Sequence, residues 1–123
     1  SGYLHKASLA MDYSAVTAAC LMVKRSIYGA VGGFEEKLAV AFNDVDYCLK
    51  VRKHGWLVVY DPYAEMHHYE SKSRGYEDSP EKVERFNGEV EILLSRWRDQ
   101  IEQGDPYYNP NLTLDNSDFS LRR

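Results

Sequence analysis

Residues 43–53 read Asn43-Asp44-Val45-Asp46-Tyr47-Cys48-Leu49-Lys50-Val51-Arg52-Lys53, with Gly55 two positions further on. This is the grammar of a helix. A capping Asn or Asp opens it, acids occupy the first turn and bases the last, each favoured by the helix dipole, and a glycine follows the end. Val45, Cys48, Leu49 and Arg52 fall at i, i+3, i+4 and i+7 and share one face, which Arg52 can cover with its aliphatic stem. Asp44 and Asp46 point about 200° apart around the axis, so they are not a facing pair. Two readings stay open. In one, Asn43 and Asp44 cap the helix and Asp46 favours its dipole, each worth roughly 0.3–1 kcal/mol. In the other, Asp44 is a general base at the helix mouth, held ionised to accept a proton from a bound hydroxyl.

Upstream, residues 34–42 (FEEKLAVAF) read as loop or short extended structure, and residues 26–31 as one or two helical turns ended by Gly32-Gly33. Residues 15–23 (AVTAACLMV) are an apolar run with Val16, Thr17 and Val23 β-branched, closed by Lys24-Arg25. It is too short for a buried helix and is expected to be a buried strand. Downstream, residues 56–60 (WLVVY) are a second strand stopped by Asp61-Pro62, and residues 64–69 (AEMHHY) a short extended piece able to add a third. Residues 70–79 are polar and expected to be a mobile loop. Ser79-Pro80 then starts a long helix running to about Gln103, with Gly104 past its end. Val83, Phe86, Val90, Leu93, Leu94, Trp97 and Ile101 form its apolar stripe. Gly88 costs that helix roughly 1 kcal/mol relative to Ala, so docking must hold it. The tail, 105–123, is expected to be irregular and to drape over the surface or fray.

The 123 residues, 44% hydrophobic and 28% charged, suit one modest core. Residues 15–23 are about half of the roughly 20 a membrane span needs, and the opening residues show no signal-peptide pattern, so a cytoplasmic location is expected. Fifteen basic against nineteen acidic residues leave a net charge of −4 with no basic cluster, which disfavours nucleic acid as a ligand. Cys20 and Cys48 lack C-x-x-C spacing and read as reduced core residues. There is no internal repeat, phosphate-binding Gly-rich loop or nucleophile elbow.

His67 and His68 alternate along an extended segment, so one is expected to face inward and the other outward. The Ser71-Lys72-Ser73-Arg74-Gly75 stretch after them carries donors suited to an anionic group, or is simply a solvated loop.

The order ACLMVKR, YGAVGGFEEKL, FNDVDYCLKVRKHGW, VVYDPYAEMHHYESKSRG resembles the second half of a bacterial family 2 glycosyltransferase of the GT-A fold, from about Val16 to the closing GDPYYNPNLTLDNSDFS. The resemblance implies an α/β domain, of which this chain is the carboxy-terminal, acceptor-side portion. As an isolated piece it would be α+β: a partial sheet of a few strands, a mid-chain helix and a long amphipathic C-terminal helix, with the core at about 14–103. It places the catalytic base on Asp44. The acid that often precedes that base is Asn43 here, removing a negative charge beside it. Gly33 and Phe34 would line the acceptor pocket, Asp46 would orient acceptor or helix, His68 would ligate Mg²⁺ or Mn²⁺, and Ser71, Ser73 and Arg74 would lie near the donor diphosphate. The implied reaction is inverting transfer from a nucleotide-sugar to an acceptor hydroxyl, with the nucleotide and most of the metal held by an amino-terminal half outside this chain. The chain alone is then expected to be inactive and to self-associate through the exposed edge of residues 15–23. The competing readings are a non-catalytic interaction module using helix 80–103 as its partner-binding face, and a small metal hydrolase built on Asp44, Asp46 and His68.

Overall fold

The computed structural model describes residues 7–69 and 79–122. Their order is β1 (Met11–Asp12), a 3₁₀ turn (Ala18–Cys20), α1 (Arg25–Val31), α2 (Asn43–Lys53), β2 (Val59–Tyr60) and α3 (Pro80–Glu102). The class is α+β, as expected for this length of chain. β1 and β2 pair antiparallel, Met11 opposite Tyr60 and Asp12 opposite Val59. The ladder extends by one bond from Tyr13 N–H to the Val58 carbonyl, 2.9 Å.

α2 has the bounds that its sequence predicts. Its C-terminus is a Schellman motif: Gly55 at φ 90° lets the Trp56 N–H return to the Val51 carbonyl and its own N–H to that of Arg52. α1 closes in the same way, with Gly32 at φ 81°. The start of α2 departs from expectation. Its N-cap is Phe42, in the left-handed region at φ 63° with no side-chain cap, while Asn43 and Asp44 are already inside the helix.

The buried surface of α2 is also rotated from the expected face. Tyr47, Cys48 and Val51 join Val31 and Val58 in the core, with Val16, Leu21, Val23 and Ile27 packed partly against them. Val45, Leu49 and Arg52 are only half-buried. Three neighbours, α1, residues 15–23 and α3, surround this helix, so more of its circumference is covered than a single stripe anticipates.

The expected strand over residues 15–23 does not form. Leu21 and Val23 turn inward and Met22 outward with a strand's alternation. At residues 18–20, however, the chain tightens into a 3₁₀ turn capped by Thr17, whose Oγ1 accepts from Ala19 N–H at 3.2 Å. Asp44 takes the Ala18 N–H. Side chains thus claim two amides that a ladder would have used, the competition by which Thr and Asp divert backbone from regular structure. The strand expected over residues 56–60 shrinks to Val59–Tyr60. Residues 64–69, expected to add a third, are exposed and unpaired. Cys20 is exposed, not core, whereas Cys48 is buried.

α3 spans Pro80–Glu102 with Ser79 Oγ accepting from Lys82 N–H, the predicted cap. Of its stripe, Leu93 and Trp97 are buried, Val90 and Leu94 half-buried, and Val83, Phe86 and Ile101 stay about two-fifths exposed. The tail is more ordered than expected. An antiparallel bridge joins Leu112 to Leu121, Thr113 is buried, and Ser14 Oγ donates to Asp105 Oδ1. The loop expected at 70–79 lies, apart from Ser79, outside the described residues.

Candidate active site

α2 sets two carboxylates on its first turn and sends them to opposite sides. Asp46 is completely buried. Its Oδ1 accepts from Arg96 Nε and from Trp97 Nε1, each at 2.7 Å, and its Oδ2 lies 3.6 Å from Lys50 Nζ. Two consecutive residues of α3 therefore converge on a single oxygen. At Trp97 itself the helix backbone leaves helical values, at φ −132°. The contacts of Asp46 are thus with α3 and its own helix.

Asp44 is half-buried at the helix mouth. Oδ1 accepts from the Val45 N–H at 2.9 Å and Oδ2 from the Ala18 N–H at 3.2 Å. An ionised carboxylate has about four acceptor positions, so two backbone donors orient it and leave lone pairs for a further donor. A group that takes a proton from a hydroxyl needs a lone pair left free in this way.

The loop between α1 and α2 is tied down along its length. Gly33, at φ 66°, is buried. A Cβ there would meet the Tyr28 ring at 2.8 Å, so no other residue fits without displacing that ring. The Gly33 carbonyl accepts from Lys50 Nζ. Glu35 pairs with Arg96 at 3.1 Å. Glu89, in the middle of α3 and only 3% exposed, accepts from Val40 N–H at 2.9 Å and Ala41 N–H at 3.1 Å. Phe42 then packs on Phe86, ring centroids 5.4 Å apart. Phe34 lies 4.8 Å from Tyr47, and Tyr28 lies 6.0 Å from Phe34 and 5.9 Å from Tyr47. Phe34 and Tyr28 keep about two-fifths of their surface in solvent, giving an aromatic platform above the buried Tyr47.

Gly33 and Phe34 thus share one loop whose far end leads into Asp44. His67 and His68 are both exposed, so the expected division into inward and outward rings is not seen. Among the described residues no three His, Cys, Asp or Glu side chains gather into a group able to hold a metal ion, so Asp44, Asp46 and His68 form no hydrolase centre. Ser71, Ser73 and Arg74 lie outside the described residues. A groove of about 580 Å³ runs between α2 and the end of α3, lined by Val45, Leu49, Arg52, Trp97 and Ile101 among others. Arg52 reaches over the Tyr107 ring at 5.3 Å and Lys53 over that of Trp97 at 5.8 Å.

Glu89, Arg96, Glu35 and Lys50 are absent from the candidates drawn from sequence. Glu89 carries a usable signal: it stands at i−4 and i−8 from Leu93 and Trp97, an acid in register with an apolar stripe. Lys50 stands at i+4 from Asp46, the spacing of a helical ion pair.

The chain is 52% identical over 122 residues to an uncharacterized protein, y4gI, of Sinorhizobium fredii, a match covering 98% of this chain and 13% of that protein. It is 34% identical over 113 residues to the O-antigen biosynthesis protein RfbC of Myxococcus xanthus, 91% of this chain and 8% of that one. Over 60 residues, 49% of the chain, it is 43% identical to the N-acetylglucosaminyl-diphospho-decaprenol L-rhamnosyltransferase of Mycobacterium tuberculosis, of which the match covers 20%. The chain therefore spans a fifth or less of the length of these relatives. No family model and no solved structure matches it. These likenesses support a relationship to glycosyltransferases.

Proposed function

We propose that the chain is the acceptor-side part of an inverting family 2 glycosyltransferase of the GT-A fold, with Asp44 as its general base. The reading rests most on one observation: of the two first-turn acids of α2, Asp46 is sealed against Arg96 and Trp97, while Asp44 sits at the helix mouth, oriented by two backbone donors. In the reaction, Asp44 accepts the proton of an acceptor hydroxyl as its oxygen bonds to the anomeric carbon of a nucleotide-sugar, and the carbon–oxygen bond to the nucleoside diphosphate breaks. Two effects favour this. The backbone N–H groups hold the carboxylate in place, and the N-terminal end of α2 presents its partial positive charge beside it. The aromatic platform of Tyr28 and Phe34, beside Gly33, gives a sugar acceptor an apolar ring face to lie on.

A donor-binding part elsewhere in the polypeptide supplies the nucleotide site, and the chain by itself is inactive. A divalent ion on the diphosphate would offset its developing charge. His68 is the residue here that would reach such an ion, but the described residues offer it no companion donors, so no step is derived through a metal. The diphosphate contacts of Ser71, Ser73 and Arg74 belong to this reading too. The names of the relatives support a part in polysaccharide synthesis, and the reading takes a glycan as acceptor and the cytoplasmic side as the place of reaction. Among the described residues no helix is long and apolar enough to cross a membrane.

The test is release of nucleoside diphosphate from nucleotide-sugars by the full-length polypeptide, with and without Asp44→Asn. Transfer that survives the substitution at the wild-type rate overturns the assignment. The competing interaction-module reading needs the whole stripe of α3 free. Burial of Leu93 and Trp97 favours the enzyme reading over it, since even the most open residues of that stripe, Val83, Phe86 and Ile101, are only about two-fifths exposed.

A further inference from the structure

Glu89 is a buried acid that the reaction does not use. Its two oxygens accept from consecutive amides, Val40 at 2.9 Å and Ala41 at 3.1 Å. Consecutive N–H groups converging on one anion form the kind of concave backbone nest that binds phosphate or carboxylate ligands. Here the anion is a side chain of the same protein, delivered from the middle of α3, 49 and 48 residues away in sequence.

The location gives the contact its consequence. Ala41 precedes Phe42, the residue in left-handed conformation from which α2 departs. A left-handed backbone at a bulky aromatic residue is uncommon, and it persists only where its surroundings over-determine it. Glu89 holds the two peptide groups before it, Phe86 packs on its ring, and the Phe42 carbonyl accepts from Asp46 N–H at 2.9 Å. Two residues beyond Phe42 stands Asp44.

We propose that Glu89 is a positioning residue: by binding the Val40 and Ala41 amides it sets the direction in which α2 starts and so the placement of the Asp44 carboxylate. It acts through the loop and touches neither substrate nor Asp44. The catalytic half of this inference rests on Asp44 being the base. The structural half does not.

The chemistry requires the carboxylate. It offers two acceptors and no donor, whereas Gln offers one oxygen and an NH₂ that would face a backbone N–H. Glu89→Gln is therefore not conservative here, and Glu89→Asp, one methylene shorter, draws both oxygens away from the loop.

Hydrogen exchange on this chain tests the structural half. In Glu89→Gln the Val40 and Ala41 amides should lose protection about tenfold or more, the loss of a charge-assisted bond, while those of Val51 and Leu93 keep theirs. In the full-length polypeptide, Glu89→Gln and Glu89→Asp should each lower kcat by about tenfold or more and leave KM for the nucleotide-sugar within about twofold. Unchanged protection at Val40 and Ala41 overturns the proposal. So does protection lost equally throughout both variants, which would make Glu89 a general support of the fold. A loosened loop with unchanged kcat overturns the catalytic half. If the wild-type polypeptide transfers no sugar, the Asp44 reading falls while the exchange result stands by itself.

Discussion

The two sides of α2 are built differently. Toward α3 the contacts are ionic: Asp46 is enclosed by Arg96, Trp97 and Lys50, and Lys50 and Arg96 continue to Gly33 and Glu35 in the preceding loop. Toward residues 16–18 no ion pair forms among the described residues, and Val16 packs against the apolar core that includes Cys48. Cys48 Sγ approaches the Val16 carbonyl at 3.8 Å, and the Ala18 N–H reaches Asp44. A helix whose one side is locked by charge-assisted bonds can leave its other side accessible without losing its orientation. The acid facing α3 is locked in place, and the acid facing residues 16–18, half-buried at the helix mouth, is the group assigned to chemistry.

The largest effect that this contrast predicts is on turnover. Asp44→Asn in the full-length polypeptide should lower kcat by about 10²–10⁴-fold, the usual worth of a general base, and leave thermal stability within about 1 kcal/mol of wild type. Steady-state kinetics with a matched unfolding curve checks both. A large stability loss with normal turnover would erase the distinction between the two sides.

Asp46→Ala should do the reverse and destabilise the chain by about 2–4 kcal/mol. It strands the buried Trp97 N–H and leaves Arg96 and Lys50 without their shared carboxylate. The figure sits below that of a fully enclosed pair because Arg96 keeps a third of its side-chain surface in water. Urea unfolding measures it, and a loss below about 1 kcal/mol would show that the ionic side is not what anchors α2.

Burial pushes the Cys48 thiol above its ordinary pKa, with Asp44 adding to the rise. Burial likewise raises Tyr47. For both groups the folded protein favours the neutral form. Their contribution is therefore complete below the unfolded pKa, about 8.5 for a thiol, and is lost as pH climbs through the folded value. Stability should fall from about pH 8.5 upward, and Cys48→Ala should flatten the thiol's share of that fall. A smaller contrast lies between the thiols themselves. Cys20 should label with a thiol reagent in the native state and Cys48 only on unfolding, which mass spectrometry of the intact chain resolves.

Much of the local structure was legible. The ends of α2 carry signals within one turn of each terminus, acids, bases and Gly55, and both ends fall where those signals place them. Ser79, Pro80 and Gly104 do the same for α3, apart from one residue at its end. What could not be read is what depends on a distant partner. Residues 15–23 have strand composition, yet a strand requires a ladder, and Thr17 and Asp44 took the amides at 18 and 19 instead. The stripe of α3 is apolar in sequence, and its docking leans also on Glu89 and Arg96, whose usefulness exists only because loop amides and Asp46 stand opposite. Spacing marks Asp44 and Asp46 alike. Nothing local tells which of them is sealed.

By itself, then, the sequence determined the helices, the Ser79 cap of α3, the glycine-bounded turns and the opposed placement of two acids on α2, because each follows from interactions within a few residues. The tertiary structure decided which acid is buried, which face of α2 enters the core, and that an acid 45 residues beyond Asp44 holds the loop that leads to it. Those outcomes depend on desolvation and on hydrogen-bond partners supplied from elsewhere in the chain, and a carboxylate's environment is set by what packs around it rather than by its neighbours in sequence.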